Sequence, residues 1–352
     1  MTLETRITAI SELGRFLRLF SAENPDFFGN SFQQELFYSL SDKISEAVHH
    51  NGWFTKENVL FAINQWGNAL TTENLKKWLS GYKFQDVANL KTVGIIMAGN
   101  VPLVGFHDFL SVLLTGHKVQ AKLSSNDKLL LPIIAKFLIA ENPEFANRIL
   151  FSEGKLENFD AVIATGSNNT ARYFEHYFSG KPNIIRKNRN SIAVLTGDET
   201  KEELMALAED IFRYYGLGCR NVSKLYVPEN YDFSSFFQAI FPWNPIVSHA
   251  KYANNYDYNK AVYLMSEFKL LDNGFLLLKE DTGFGSPIAV LFYEKYSDES
   301  VLKKKMKANK NQLQCIVSNG IIKNSVEFGK TQFPELWDYA DGVDTIDFLT
   351  KL

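Results

Sequence analysis

The sequence predicts an open, largely parallel α/β sheet and a second α/β unit, preceded by a helical N-terminal segment. Three observations carry this. Residues 1 to about 90 show apolar positions at three- and four-residue spacing. From about residue 92, short β-type runs alternate with helical stretches. Near Cys219 a fresh series of strand and helix patterns begins.

In the first segment, Ile7, Ile10, Leu13 and Leu17 fall on one helical face. Ser41, Thr55 and Thr72 precede helical runs and are read as N-caps. Then Val93–Met97 reads as a strand, Ala98 to Pro102 as a turn, and Phe106–Leu114 as a helix ending at Gly116. Lys118–Leu123 is a strand, and Asn126 is expected to cap the helix running to Ala140, with Pro132 in its first turns or kinking it. Asp160–Gly166 is a strand and Thr170–Phe178 a helix; Asn183–Lys187 and Ser191–Leu195 are strands. Glu199–Tyr215 reads as a long helix. Beyond Cys219, Lys224–Pro228, Phe275–Glu280, Ile288–Glu294 and Leu313–Ser318 are strand patterns, with helices at Phe233–Phe241 and Lys251–Phe268 and in the lysine-rich run. The expected organisation is residues 1–90, 91–216, 217–320 and 321–352, the last a tail that returns to an earlier domain or serves an oligomer interface.

Composition narrows the function classes. The 352 residues are 45% hydrophobic and 22% charged, enough apolar surface to build real cores. A net charge of −3 supplies no basic field for nucleic acid or an anionic membrane. Lys303, Lys304, Lys305, Lys307 and Lys310 form the one dense basic run, read as a solvated helix face, with a phosphate contact as the alternative. Two cysteines, Cys219 and Cys315, do not make a disulfide framework. The six histidines form no HxxxH pattern and there is no CxxC, so no metal site is expected. The acidic, amphipathic N-terminus does not read as a signal peptide. The most apolar stretch, Val93 to Gly116, is broken by Asn100, Pro102, His107 and Asp108, so no membrane span and a cytoplasmic location are expected.

Two tempting motifs fail. Gly329-Lys330-Thr331 resembles the end of a phosphate-binding loop, but Asn324 stands where the first glycine is required and no helix-forming run follows. The GxGxxG dinucleotide fingerprint is absent after every strand candidate.

Four other segments occur in a telling order. They are Ala98 to Pro102 after a strand, Ala121 to Ser125 at the end of the next, Ala164 to Ser167 at the end of another, and Gly216-Leu217-Gly218-Cys219 after a helix. This order and spacing resemble the aldehyde dehydrogenase superfamily, and within it the bacterial luminescence-type acyl-CoA (fatty acyl) reductases. The resemblance covers roughly residues 90 to 352 and includes the tail from Gly329 through Pro334, Trp337 and Gly342. It implies an aldehyde-dehydrogenase-like fold, with 91–216 as the nicotinamide-cofactor domain and 217–320 as the catalytic domain.

The resemblance also implies roles. Cys219 would be the nucleophile, activated as a thiolate, with Gly216 and Gly218 letting the backbone fold tightly around it. Asn100 would donate its side-chain amide to the developing oxyanion, beside the Cys219 backbone N–H. Lys122 and Ser124 would face the adenosine half of the cofactor. Gly166 and Ser167 would lie near the pyrophosphate, and Thr165 beside the nicotinamide half. Glu280 would bond the nicotinamide ribose, with Asp281 as the alternative. The implied cofactor is NADPH, with NADH as the alternative. The implied partners are acyl-CoA or another acyl thioester, an acyl-transferring enzyme as a further donor, and a second copy of the chain.

One departure bears on mechanism. Aldehyde-oxidising members of the superfamily carry a glutamate that activates the deacylating water. The matching stretch, Arg186-Lys187-Asn188-Arg189-Asn190-Ser191, has no carboxylate. A base is needed for fast hydrolysis, so the expected fate of the acyl group is reduction; His176 and His249 are the remaining base candidates. The competing readings are an oxidative, acylating aldehyde dehydrogenase and a non-catalytic acyl-binding scaffold.

Overall fold

The computed structural model describes residues 1–21, 30–84 and 90–352. The chain forms two compact units, Met1–Lys187 with Glu335–Leu352, and Asn188–Pro334.

The first unit opens with helices. α1 (Leu3–Arg18) starts at Thr2, whose hydroxyl accepts from the Thr5 amide, and buries Ile7, Ile10, Leu13 and Leu17 on the anticipated face. α2 (Ser31–His50) starts from an Asn30–Gln33 capping box and runs through Ser41. Ser41 therefore does not cap; its hydroxyl bonds back to the Phe37 carbonyl one turn earlier. α3 (Lys56–Ala69) is capped by Thr55 as expected. α4 (Thr72–Leu79) is capped by Thr71, one residue before the anticipated Thr72.

The sheet of this unit is wholly parallel. β1 (Thr92–Ile96), α5 (Phe106–Leu114), β2 (Lys118–Lys122), α6 (Leu130–Glu141), β3 (Ile149–Phe151), β4 (Ala161–Thr165), α7 (Asn168–Tyr177) and β5 (Asn183–Arg186) follow in the chain. Their spatial order is β3-β2-β1-β4-β5. The middles of β1, β2 and β4 are buried, as strands covered on both faces must be. α6 begins beyond Leu129 without a side-chain cap, so Asn126 does not start it. Residues 124–127 instead close a turn, Asp127 N–H to the Ser124 carbonyl, and that turn delays the helix.

The last residues belong to this unit. Arg186, at the end of β5, forms a buried ion pair with Asp108 of α5 at 2.6 Å. It also donates to the Ala340 carbonyl (2.7 Å) and the Thr345 hydroxyl (2.9 Å). Tyr82 donates to Asp344 and Trp78 to the Tyr339 hydroxyl, each at 2.7 Å. The expected 321–352 tail thus divides, residues 321–334 lying in the second unit.

The second unit carries β6 (Asn190–Val194), α8 (Lys201–Phe212), β7 (Val222–Pro228), α9 (Phe233–Ile240), α10 (Ala250–Met265), β8 (Leu270–Asp272), β9 (Leu277–Glu280), β10 (Val290–Tyr296), α11 (Glu299–Ala308) and β11 (Leu313–Ser318). The order is β11-β6-β7-β10-β9-β8, parallel except for the edge strand β8. β6 pairs with β7 and β11, so it and α8 sit in this unit, whereas the sequence reading ends the preceding domain at residue 216. Lys303, Lys304, Lys305 and Lys307 lie on α11, where Lys303 pairs with Glu299 at 2.9 Å, and Lys310 follows just beyond its end. α8 ends at Phe212, short of the anticipated Tyr215, because Tyr214 and Tyr215 take left-handed conformations (φ 54° and 59°). Among the described residues no helix is long and apolar enough to cross a membrane.

The Arg186–Asp108 pair yields a stability test. Removing one member of a buried pair strands the other charge, at about 3–5 kcal/mol. Asp108→Ala is therefore expected to lower unfolding free energy by about that much and to expose residues 335–352 to protease. Lys187→Ala, which breaks an exposed pair with Glu175, is expected to cost under about 1 kcal/mol. Urea unfolding and limited proteolysis of the two variants check this.

Candidate active site

In the first unit, the parallel sheet places the anticipated cofactor residues Lys122, Ser124, Thr165, Gly166 and Ser167 at or just beyond the carboxyl ends of its strands, whereas Glu280 belongs to the second unit. Strand order reverses between β1 and β4, which leaves a crevice at their carboxyl ends, the usual ligand position in such sheets. Ile96, the last residue of β1, is in register with Lys122 of β2 and with Ala164 of β4. Lys122 and Thr165 are therefore strand-end residues flanking the end of β1. Ser167 caps α7, its hydroxyl accepting from the Thr170 amide at 3.3 Å. Gly166 is crowded by Thr170, whose Cβ would lie 2.9 Å from an added Cβ, so the strand turns straight into the helix.

Asn100 stands exposed in the loop after β1. Gly99 lies against Ser124, where an added Cβ would come within 2.5 Å of the serine Oγ. Only glycine allows that approach. Leu103, three residues beyond Asn100, is left-handed (φ 58°). Its amide donates to Asp127 at 2.7 Å.

In the second unit, Cys219 lies on the turn between α8 and β7, at the amino end of β7, and is exposed, whereas Cys315 is buried. The approach is strained. Tyr214, Tyr215 and Gly216 are left-handed in succession, at about 1–2 kcal/mol for each tyrosine. Asn221, a buried residue that sequence reasoning missed, compensates. Its Oδ1 accepts from the Gly218 amide at 2.8 Å. Its Nδ2 donates to the carbonyls of Arg213 (2.8 Å) and Asp210 (3.1 Å), satisfying acceptors at the frayed end of α8. Its own amide closes the turn onto the Gly218 carbonyl at 3.0 Å.

Ser191, also missed, holds the other side. Its buried hydroxyl donates to the Cys219 carbonyl (2.9 Å) and accepts from the Cys315 amide (3.0 Å). On the neighbouring strand, Ser223 donates to the Phe284 carbonyl at 2.7 Å. Gly285 lies against Asn190, an added Cβ falling 2.7 Å from its Oδ1. The Cys219 turn and the Phe284-Gly285 segment are thus tied to the same ends of β6 and β7.

Glu280 is exposed at the end of β9, level with Tyr293. Asp281 is engaged, paired with Lys279 and accepting from the Gly283 amide at 2.8 Å. Burial is the largest single influence and would raise its carboxyl, but the hydrogen bonds from Lys279 and the Gly283 amide together with the charges of Lys279 and Lys224 outweigh it and hold the carboxyl below the usual range. Of the histidines, His176 is exposed on α7, while the His249 ring packs on Tyr215 with 4.4 Å between centroids. Among the described residues no group of three or more His, Cys, Asp or Glu is arranged to hold a metal ion.

The discarded Gly329-Lys330-Thr331 motif has a structural role. Asp210 of α8 accepts from the Gly329 amide (2.7 Å), the Thr331 amide (2.9 Å) and the Thr331 hydroxyl (2.8 Å). Burial nevertheless pushes the Asp210 carboxyl up to about 6, the three donors offsetting only part of the desolvation.

Comparison with known proteins places this architecture. An aldehyde dehydrogenase 21 from Physcomitrella patens, solved in complex with the reaction product succinate, is similar over 99% of this chain and 87% of its own, at a TM-score of 0.62 and 13% identity. An aldehyde dehydrogenase C from Pseudomonas syringae, solved with NAD+ and octanal, matches over 91% of this chain and 73% of its own, with TM-score 0.62 and 13% identity. An indole-3-acetaldehyde dehydrogenase from P. syringae, solved with NAD+, gives 90%, 72%, 0.61 and 13%. These likenesses show the fold, that of the aldehyde dehydrogenases. Residues 71–240, which include Asn100 and Cys219, match the family model described as acyl-CoA reductase (LuxC). Residues 71–240 are thus similar to the acyl-CoA reductase (LuxC) family, and the chain as a whole has the fold of the aldehyde dehydrogenases. No curated protein matches it significantly.

Asp210 gives a pH-dependent expectation. A carboxyl raised to about 6 in the folded state and near 3.9 when unfolded adds stability below pH 4, and that contribution is lost as pH rises through 6. Relative to Asp210→Asn, the wild type should lose about 2–3 kcal/mol between pH 4 and pH 7. Urea titrations across that range check it; a difference independent of pH would remove this account of Asp210.

Proposed function

We propose that the protein reduces an acyl thioester, such as a fatty acyl-CoA, to the aldehyde through an acyl group carried on Cys219. The observation that carries this reading is the Cys219 turn: an exposed thiol on a strained turn pinned by Asn221 and Ser191, within the residues that match the acyl-CoA reductase family model. Strain persists only where surrounding structure enforces it, and it concentrates at functional sites.

The Cys219 thiolate attacks the thioester carbonyl, and the carrier leaves as its thiolate. The Asn100 amide and the Cys219 N–H serve the oxyanion that forms. A nicotinamide cofactor supplies the hydride that discharges the acyl group when bound. Cys219 then departs as thiolate, the aldehyde is released, and the enzyme returns to its starting state. Lys122, Ser124, Thr165, Gly166 and Ser167 suit such a cofactor, because they gather at the switch point of a parallel sheet with a helix N-terminus beside them. Lys122 would place a cation by the adenosine end, which favours NADPH; the solved neighbours named with NAD+ support a nicotinamide cofactor in general. Glu280 would bond the ribose from the end of β9. The stretch 186–191 offers water no carboxylate, and Arg186 there is committed to Asp108, so discharge to hydride outruns hydrolysis.

Cys219→Ala is expected to abolish aldehyde formation from acyl-CoA and NADPH while the melting temperature stays near that of the wild type. Asn100→Ala is expected to reduce turnover about 10²–10³-fold. Coupled assays for aldehyde and for released CoA check both. Retained aldehyde formation in Cys219→Ala contradicts the reading; activity only with aldehyde and oxidised cofactor supports the oxidative alternative.

A further inference from the structure

Asn100 sits in a short arch, residues 99–103, and both feet of that arch stand on one other turn. At one foot, Gly99 is pressed onto Ser124, with room for no Cβ. At the other, the Leu103 amide donates to Asp127 Oδ2 at 2.7 Å. Ser124 and Asp127 are the two ends of the turn that follows β2, which is closed by the Asp127 amide on the Ser124 carbonyl (3.1 Å) and by the Asn126 amide on Ser124 Oγ (3.3 Å). Leu103 is itself buried and left-handed, a conformation that a branched side chain adopts only when something fixes it.

We propose that Asp127 is a positioning residue, whose carboxylate holds the arch at Leu103 and so fixes where the Asn100 side-chain amide stands. This rests on the reading of Asn100 as the oxyanion donor. The clamp also joins the arch to the turn carrying Ser124, two residues past Lys122, so the oxyanion side and the cofactor side of this unit share one support. A donor displaced by a fraction of an ångström loses much of its effect on a transition state. The role belongs to the ionised form. Burial pushes the Asp127 carboxyl up to about 6, the Leu103 amide offsetting part of that cost. The titratable groups around the same hollow are His50 of α2, paired with Glu46, and Lys128 of the turn itself. The clamp is therefore strongest above pH 6 and weakens as Asp127 takes up a proton below it.

The test uses the full chain with Asp127→Ala, Asp127→Asn, Asn100→Ala and the Asn100→Ala/Asp127→Ala pair. Three readouts are taken: the exchange rate of the Leu103 amide hydrogen, the single-turnover release of CoA from acyl-CoA, and the melting temperature. Asp127→Ala is expected to speed Leu103 exchange at least about 10-fold and to slow acylation about 10–100-fold, with the acyl-CoA KM little changed. Asp127→Asn, which keeps an oxygen acceptor without the charge, is expected to hold the rate near the wild type's low-pH level at every pH, above that of Asp127→Ala, so that the decline below pH 6 disappears, measured in a His50→Gln background. In the Asn100→Ala background, Asp127→Ala should cost nothing further. A wild-type acylation rate in Asp127→Ala overturns the proposal, and so does an equal loss with and without Asn100. Should the wild type release no CoA at all, the functional reading fails. Leu103 exchange then decides the clamp alone: fast exchange in Asp127→Ala supports it and unchanged exchange overturns it.

Discussion

A chain that leaves a helix through three successive left-handed residues needs something to hold it, and in the second unit that is Asn221. The side chain does two jobs with one amide. Its oxygen fixes Gly218, and its nitrogen occupies carbonyls that the end of α8 leaves open. Without it, buried carbonyls would go unpaired at about 1–3 kcal/mol each, and the strain at Tyr214 and Tyr215 would relax the turn. The exposed position of Cys219 follows from that constraint. Ser191 closes the other side and ties the same turn to β11 through the Cys315 amide.

The two units solve a similar problem in different ways. Each has a largely parallel sheet with its candidate site residues in loops or at strand ends, and loops hold position only when buried polar groups pin them. In the first unit the pins are Asp127 and the Gly99–Ser124 contact. In the second they are Asn221, Ser191 and Ser223. Asp210 performs the same service for residues 329–331. Two of these groups, Asp127 and Asp210, are carboxyls raised to about 6 by burial, so both loop supports respond to mild acid.

Much of this was readable in the sequence where local pattern and tertiary demand agree. Phe106–Leu114 is a helix with the anticipated bounds, and the strands around Val93, Val119 and Val162 follow from aliphatic runs. Asn100, Lys122 and the Thr165-Gly166-Ser167 turn stand out as candidates because the segments at or just beyond the ends of β1, β2 and β4 resemble the aldehyde dehydrogenase superfamily in their order. Failures came where tertiary contacts decide. Periodicity carries α8 on to Tyr215, but Asn221, six residues beyond, captures its end early. Ser41 and Asn126 are good cap residues by type, yet a capping box upstream and a turn preceding α6 took those roles away. Strands β3 and β8 are too short, at three residues each, for any period to show. Ser191, Asn221 and Asp127 carry no motif; a serine, an asparagine or an aspartate in a loop is ordinary until its partners are known. The amides of Gly329 and Thr331 serve Asp210, which lies 121 residues from Thr331 and which no local motif announces.

The central claim is that Cys219 holds an acyl group destined for hydride. Rapid-quench intact-protein mass spectrometry tests it most directly, with the protein mixed first with acyl-CoA and then with NADPH. The account predicts one added acyl group, mapped to Cys219, stable in buffer and removed when the reduced cofactor is added, with aldehyde formed in equal amount. An acyl group that buffer alone removes as fast as NADPH does, or no adduct on Cys219, would contradict it.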